Sequence, residues 1–139
     1  MVKVYIGGRY QDYPEIRKIM NLVRSAGHTI TVDWTDRAKL VYNYIMSKDL
    51  ISDSIVDFNG VYDADWTILH LVDIGYMYRG TFCELGASLM RDRMRGLGRR
   101  TIIIDSEDKT YAATLCYFHH PDTIHVSCIE DAIIYLKPI

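Results

Sequence analysis

The stretch "DWTILHLV" (Asp65–Val72) decides the fold. Its centre is apolar on both faces instead of alternating, the pattern of a strand covered by helices on both sides of a parallel sheet. Working outward, "VKVYI" (Val2–Ile6) reads as a first buried strand and "HTITV" (His28–Val32) as a second. "RTIII" (Arg100–Ile104) reads as a fourth, and "TIHV" (Thr123–Val126) as a weaker fifth. Helical segments lie between them. Pro14 suits the first position of a helix that reaches about Ser25 and is stopped by Gly27. Asp36 can cap a long helical region over about Arg37–Val61, with a break near Asp49–Ser54. Thr81 to about Arg95 and Cys128–Leu136 supply two more helices. Strands alternating with helices predict an α/β fold: a doubly wound, five-stranded parallel sheet, flavodoxin-like, of order 2-1-3-4-5. The 139 residues suit one domain over 1–139, and 49% apolar residues predict a globule with a substantial core.

Composition narrows the partners. A net charge of −2 gives no electrostatic case for nucleic acid or an anionic membrane. The three cysteines, Cys83, Cys116 and Cys128, are odd in number and widely spaced, so free thiols in a reducing, cytoplasmic setting are expected. "MVKVYIGG" reads as a strand rather than a signal peptide, and no apolar run approaches the roughly 20 residues needed to span a bilayer. His119 and His120 are neighbours that point apart on any regular element, and His70 reads as a satisfied core or cleft residue. The acids of "DFNGVYDAD" (Asp57–Asp65) have no calcium or magnesium spacing. No metal and no cofactor are expected.

Doubly wound sheets bind ligands beyond the carboxyl ends of their strands, at the switch between strands 1 and 3. That rule nominates Gly7–Tyr10 and Val72–Glu84. In "YIGGRY" (Tyr5–Tyr10), Gly7 and Gly8 allow close backbone approach to a ligand, or simply make a tight turn. The phenol of Tyr5 can point up towards the cleft or pack below it. In "RGTFCELGAS" (Arg79–Ser88), Thr81 and Glu84 have the spacing of a capping box. A carboxylate at a helix start beside a cleft can also be a nucleophile. Asp57 by itself reads as a surface acid near a helix end. The five arginines of "RDRMRGLGRR" (Arg91–Arg100) read as a solvated helix face rather than a phosphate patch. Arg9 and Arg79 flank the nominated cleft, where a guanidinium and the amides beside Gly80 could meet a phosphate.

Three blocks together resemble the nucleoside 2-deoxyribosyltransferases and their 2′-deoxynucleoside 5′-phosphate N-hydrolase relatives. "VYIGGRY" looks like that family's first strand and loop. "DFNGVYDADWTIL" looks like its helix-end aspartate, eight residues before the aspartate that opens strand 3. "GTFCELGAS" looks like its nucleophile block. The resemblance implies Glu84 as the nucleophile, Asp57 as the acid that contacts and protonates the base, and Tyr5 as the residue that orients the glutamate. The candidate substrate-binding set is Gly7, Gly8, Arg9, Tyr78, Arg79, Gly80 and Thr81, from the two loops that the switch-point rule nominates. Thr114 falls where the family lends a polar residue to a neighbouring subunit's site, so a homo-oligomer is implied. The expected partners are a small nucleoside or nucleotide, with a free nucleobase or water as acceptor. Base exchange is favoured over hydrolysis because "DFNG" looks more like the transferases. A non-catalytic nucleotide-binding or signalling domain on the same fold is the alternative. One position departs from both subclasses: six residues before the glutamate, where transferases have an acid and the hydrolases a serine, stands Tyr78.

Overall fold

A computed structural model describes residues 1–37, 50–73, 75–105 and 111–138. Five parallel strands form one sheet: β1 (Lys3–Gly7), β2 (Thr29–Ile30), β3 (Trp66–His70), β4 (Thr101–Ile104) and β5 (Thr123–Val126). Their order is β2-β1-β3-β4-β5, the doubly wound arrangement that the sequence predicts. Central register pairs Tyr5 with Thr67 and Gly7 with Leu69, then Thr67 with Thr101 and Leu69 with Ile103. Four helices are described: α1 (Tyr13–Ser25), α2 (Leu50–Asp63), α3 (Arg79–Arg95) and α4 (Ile129–Tyr135). Short 3-10 turns occupy Tyr10–Asp12, Tyr111–Thr114 and Cys116–His119. The expected helical region from Arg37 is seen from Leu50 onward as α2; the part over 38–49 lies outside the described residues.

Strand alternation divides the core into two faces. Val4, Ile6, Ile68, Ile102 and Ile104 pack with Ile16, Ile19, Met20 and Val23 of α1 and with Ile129 and Ala132 of α4. Leu69 and Ile103, on the opposite face, pack with Leu85 of α3, while Tyr5 packs with Val61 of α2. Tyr5 is therefore committed to the α2–α3 side, because its neighbours Val4 and Ile6 face α1.

The five-arginine segment is the solvated face that its charge suggests only in part: Arg93, Arg95 and Arg99 are exposed, but Arg91 is not. Arg91 is buried, and its guanidinium donates to Asp92 Oδ1, to the Val61 carbonyl and to Thr67 Oγ1. Asp92 is buried too and accepts from the Arg100 amide and from Thr101 Oγ1. Arg95 caps the end of α2 through the Tyr62 carbonyl, and Arg99 donates to the Thr123 carbonyl. Burial of Arg91 and Asp92 is tolerable because each charge faces the other and backbone and threonine groups take up further donors and acceptors.

Gly60 sets the distance between α2 and the sheet. A β-carbon there would lie 2.4 Å from Val32 Cγ2 and 3.2 Å from the Tyr5 ring. The expected result of Gly60→Ala is a loss of about 1–3 kcal/mol, the usual cost of overpacking. Chemical denaturation checks it; an unchanged midpoint would mean that α2 does not need this close approach.

Candidate active site

The carboxyl ends of β1 and β3 open into a cleft of about 550 Å³. Its lining includes Gly8 and Tyr10 after β1, Asp57 of α2, Tyr76 and Tyr78 before α3, and Arg79, Gly80, Thr81 and Glu84 of α3. Trp34 closes one side, with its indole N–H donating to the Ile6 carbonyl and its ring edge-on to Tyr10 at 5.5 Å.

Glu84 sits in the second turn of α3, and the proposed capping box does not form. The helix starts at Arg79, after Tyr78 in a left-handed conformation (φ 45°, ψ 42°), and makes no side-chain cap hydrogen bond. Thr81 and Glu84 thus lie inside the helix, one turn too late to cap it. Glu84 Oε1 instead accepts a 2.7 Å hydrogen bond from the Tyr5 hydroxyl. Oε2 is shut away from solvent and has no hydrogen-bond partner among the described residues. The carboxylate lies where a side chain on Gly7 would be: a β-carbon there would come within 2.2 Å of Oε2. Gly7 is needed for that vacancy in the strand end, not for an unusual backbone angle.

Burial raises the proton affinity of this carboxyl. Its pKa is pushed from 4.5 to about 7, mainly by loss of solvent, with the Tyr5 hydrogen bond opposing and the nearby Asp57 charge adding to the rise. The Tyr5 phenol is held well above its ordinary value by burial and by the same carboxylate, so it is a hydrogen-bond donor at any ordinary pH.

Asp57 is not a plain surface acid. It is half-buried, lines the cleft, and accepts from Arg37 through Oδ1. Burial raises its pKa, while the Arg37 guanidinium pulls it back down. Two carboxyls therefore share the cleft with different partners, a phenol for Glu84 and an arginine for Asp57.

Gly8, Tyr78, Arg79, Gly80 and Thr81 join these two in the cleft lining. Arg9 does not: it donates to Asp12 at 2.8 Å and to Asp73, and lies over the Tyr76 ring. Its charge is spent on holding the loop after β3. Thr114 is exposed on its 3-10 turn and is not part of the cleft lining. Tyr78 is buried, and its hydroxyl accepts the Asp73 amide hydrogen at 2.8 Å. His70 is buried, but its Nδ1 has no hydrogen-bond partner among the described residues and stands 3.9 Å from Asp12, so the reading of a satisfied histidine fails. Burial lowers its pKa, which keeps the imidazole neutral. Sequence reasoning missed Trp34, Tyr76 and Arg37. Only the side chain of Trp34 carries a signal, as a large aromatic just beyond the second strand. Among the described residues no cluster of three or more His, Cys, Asp or Glu side chains could hold a metal ion. No described helix is long and apolar enough to cross a membrane.

No family model matches the chain, and no curated protein matches it in sequence. Solved structures do match it. A 2-deoxyribosyltransferase from the psychrotolerant bacterium Bacillus psychrosaccharolyticus superposes with a TM-score of 0.61 at 18% identity, over 96% of this chain and 91% of that one. The CMP N-glycosidase BcmB of Clostridium botulinum superposes with a TM-score of 0.52 at 17% identity, over 96% of this chain and 97% of that one. The fold of this chain is thus the fold of a deoxyribosyltransferase and of a nucleotide N-glycosidase, the two kinds of protein its sequence blocks resemble.

Proposed function

We propose that the protein cleaves the N-glycosidic bond of 2′-deoxynucleosides and transfers the deoxyribosyl group to another nucleobase, with Glu84 as nucleophile. The observation that carries this is the Glu84 carboxylate, desolvated in the cleft and fixed by Tyr5 above Gly7. Cleavage builds positive charge on the anomeric carbon, which a carboxylate stabilises and then captures as an ester. The bond from that carbon to the base nitrogen breaks, and the nitrogen takes a proton from Asp57. A second base then attacks the same carbon from the vacated side and gives its N–H proton to the Asp57 carboxylate, the ester breaks, and Glu84 is released as carboxylate. Tyr10, Trp34 and Tyr76 give the cleft aromatic surface, which suits a planar base as both leaving group and acceptor. Hydrolysis is the same path with water as acceptor, and transfer requires that the occupied cleft exclude it.

The substrate's 5′ end is proposed to be a free hydroxyl. Arg9 is already paired with Asp12 and Asp73, so among the described residues the charged side chains lining the cleft are Arg79 against Asp57 and Glu84. A phosphate would gain little there. We further propose a homo-oligomer in which Thr114, outside its own cleft, reaches a neighbour's. Sedimentation should then show an oligomer at assay concentration, and an active monomer would remove Thr114 from the site.

Incubation of the protein with 2′-deoxynucleosides or their 5′-monophosphates, with and without a free base, should give base exchange and a preference for the nucleoside. Glu84→Gln should abolish it. That variant should also be more stable than wild type in alkali. Because the folded pKa is raised, wild type is most favoured below about pH 4.5 and loses stability as pH rises through about 7. The full loss is at most roughly 3 kcal/mol, at about 1.4 kcal/mol per pH unit. A Glu84→Gln protein that keeps its turnover would sink the nucleophile and favour a non-catalytic domain.

The pH profile tests the proton. With Asp57 charged against Arg37, Glu84 holds the pair's last proton up to about pH 7. The productive arrangement moves that proton to Asp57. With a deoxynucleoside, kcat/KM should fall as pH rises through about 7. With a deoxyribosyl 4-nitrophenol, whose leaving group needs no proton, it should instead rise. The same slope for both substrates would show that Asp57 is not the proton donor.

A further inference from the structure

We propose that Arg37 is the positioning residue of this site: its guanidinium bridges Asp53 and Asp57, fixes the Asp57 carboxyl at the cleft wall, and decides how readily that carboxyl accepts a proton. The inference rests on the reading of Asp57 as the acid facing the base.

The geometry is specific. Asp53 and Asp57 are one turn apart on α2, so both project from the same face of the helix. Arg37 comes from the segment after Trp34, separate from α2, and reaches both. Its Nη2 donates to Asp57 Oδ1 at 2.5 Å. Its Nη1 lies 2.7 Å from Asp53 Oδ1, an ion contact without the alignment of a hydrogen bond. All three side chains are mostly covered, with about a quarter of each exposed, so solvent screens the contacts only in part. A guanidinium is planar and presents a fixed fork, so it holds two carboxyls in a set relation that a flexible ammonium does not.

Every charged neighbour of Asp57 among the described residues acts in a known direction. Arg37 favours its charged form and Asp53 disfavours it. From α3, the Glu84 carboxyl is close enough to feel the Asp57 charge. Tyr5 of β1 and Tyr10 of the following turn feel it too, but both phenols stay neutral. Arg37 is thus the one cation among the described groups that act on Asp57. Without it, burial and two carboxylates would keep Asp57 protonated to much higher pH, and its side chain would lose the contact that sets its direction.

The test is a carbon-13 titration of the side-chain carboxyls, with the Asp57 signal identified by its absence in Asp57→Asn. Arg37→Ala should move the Asp57 titration up by about 1–3 pH units, the usual effect of removing an adjacent opposite charge. Arg37→Lys should restore part of it. Asp53→Asn, a milder change that tests the case if Arg37→Ala folds poorly, should move it down. An Asp57 titration unmoved by all three variants overturns the inference. In turnover, the alkaline limb of kcat/KM for a deoxynucleoside should move up with the Asp57 titration in Arg37→Ala, while Arg37→Lys keeps a profile nearer to wild type. Equal loss of rate at every pH, in both variants, makes Arg37 structural only. If wild type shows no cleavage that depends on Glu84, the proposed reaction fails, and the titration still decides whether Arg37 controls Asp57.

Discussion

The hydrogen bond from Tyr5 to Glu84 is the constraint around which this end of the molecule is arranged. It joins the first strand to the third described helix over a separation of 79 residues. It forms only if three other conditions hold. Strand alternation must place Tyr5 on the α2–α3 face, Gly60 must let α2 come down beside the phenol, and Gly7 must leave a hollow for the second carboxylate oxygen. The far half of α3 is held separately by Arg91 and Asp92, which tie it to Val61, Thr67, Arg100 and Thr101. A buried ion pair adds little net stability over apolar packing of the same shape. Its value here is directional, because a helix clamped at that end cannot rotate Glu84 away from Tyr5.

The two cleft carboxyls differ through their surroundings, not through residue type. Both are drawn towards the protonated form by burial. Glu84 is relieved by one neutral donor, whereas Asp57 is relieved by a full positive charge. A neutral donor compensates a buried charge less than an adjacent cation does. The resting proton consequently sits on Glu84 and not on Asp57, and in the proposed reaction the positive charge building on the anomeric carbon would reverse that order. The same asymmetry lets one cleft hold two acids without forcing both to ionise, which like charges in a confined space resist.

Much of this was legible in the sequence, for identifiable reasons. The buried strands announced themselves because a parallel sheet needs apolar residues on both faces, and Trp66–His70 is buried at every position. Tyr5 and Asp57 stood out only through the blocks that resemble a known family, Glu84 also through its place at the cleft, and the structure brings all three to one end of the sheet. Arg37 was hidden because its role depends on the path of the chain after Trp34, which no local pattern encodes. Arg91 was hidden because five arginines in ten residues read as surface, while the partners that permit its burial come from α2, β3 and its own neighbour. The start of α3 was misplaced for a related reason. Tyr78 adopts a left-handed backbone that glycine or asparagine would normally signal, and a bulky residue there is an outlier costing of order 1–3 kcal/mol.

That strained position also explains how the chain can depart from both subclasses it resembles and keep their fold. The family's acid or serine would offer the ligand a polar group at residue 78. Here the hydroxyl of Tyr78 is turned back to the Asp73 amide, the ring is buried against Tyr76, and Asp73 is in turn gripped by Arg9 and the Gly75 amide. The Tyr78 oxygen and the Asp73 carboxylate are thus engaged within the loop. On that wall, a bound molecule would meet the shape and apolar surface of Tyr76, Tyr78 and Met77. Apolar pockets discriminate weakly between similar ligands, by roughly 10–200-fold per methylene-sized difference, whereas a site that hydrogen-bonds a defined group discriminates far more strongly. A cleft built this way holds the Glu84 carboxylate rigidly beside a wall with little polar readout, and such a wall suits the base exchange proposed above.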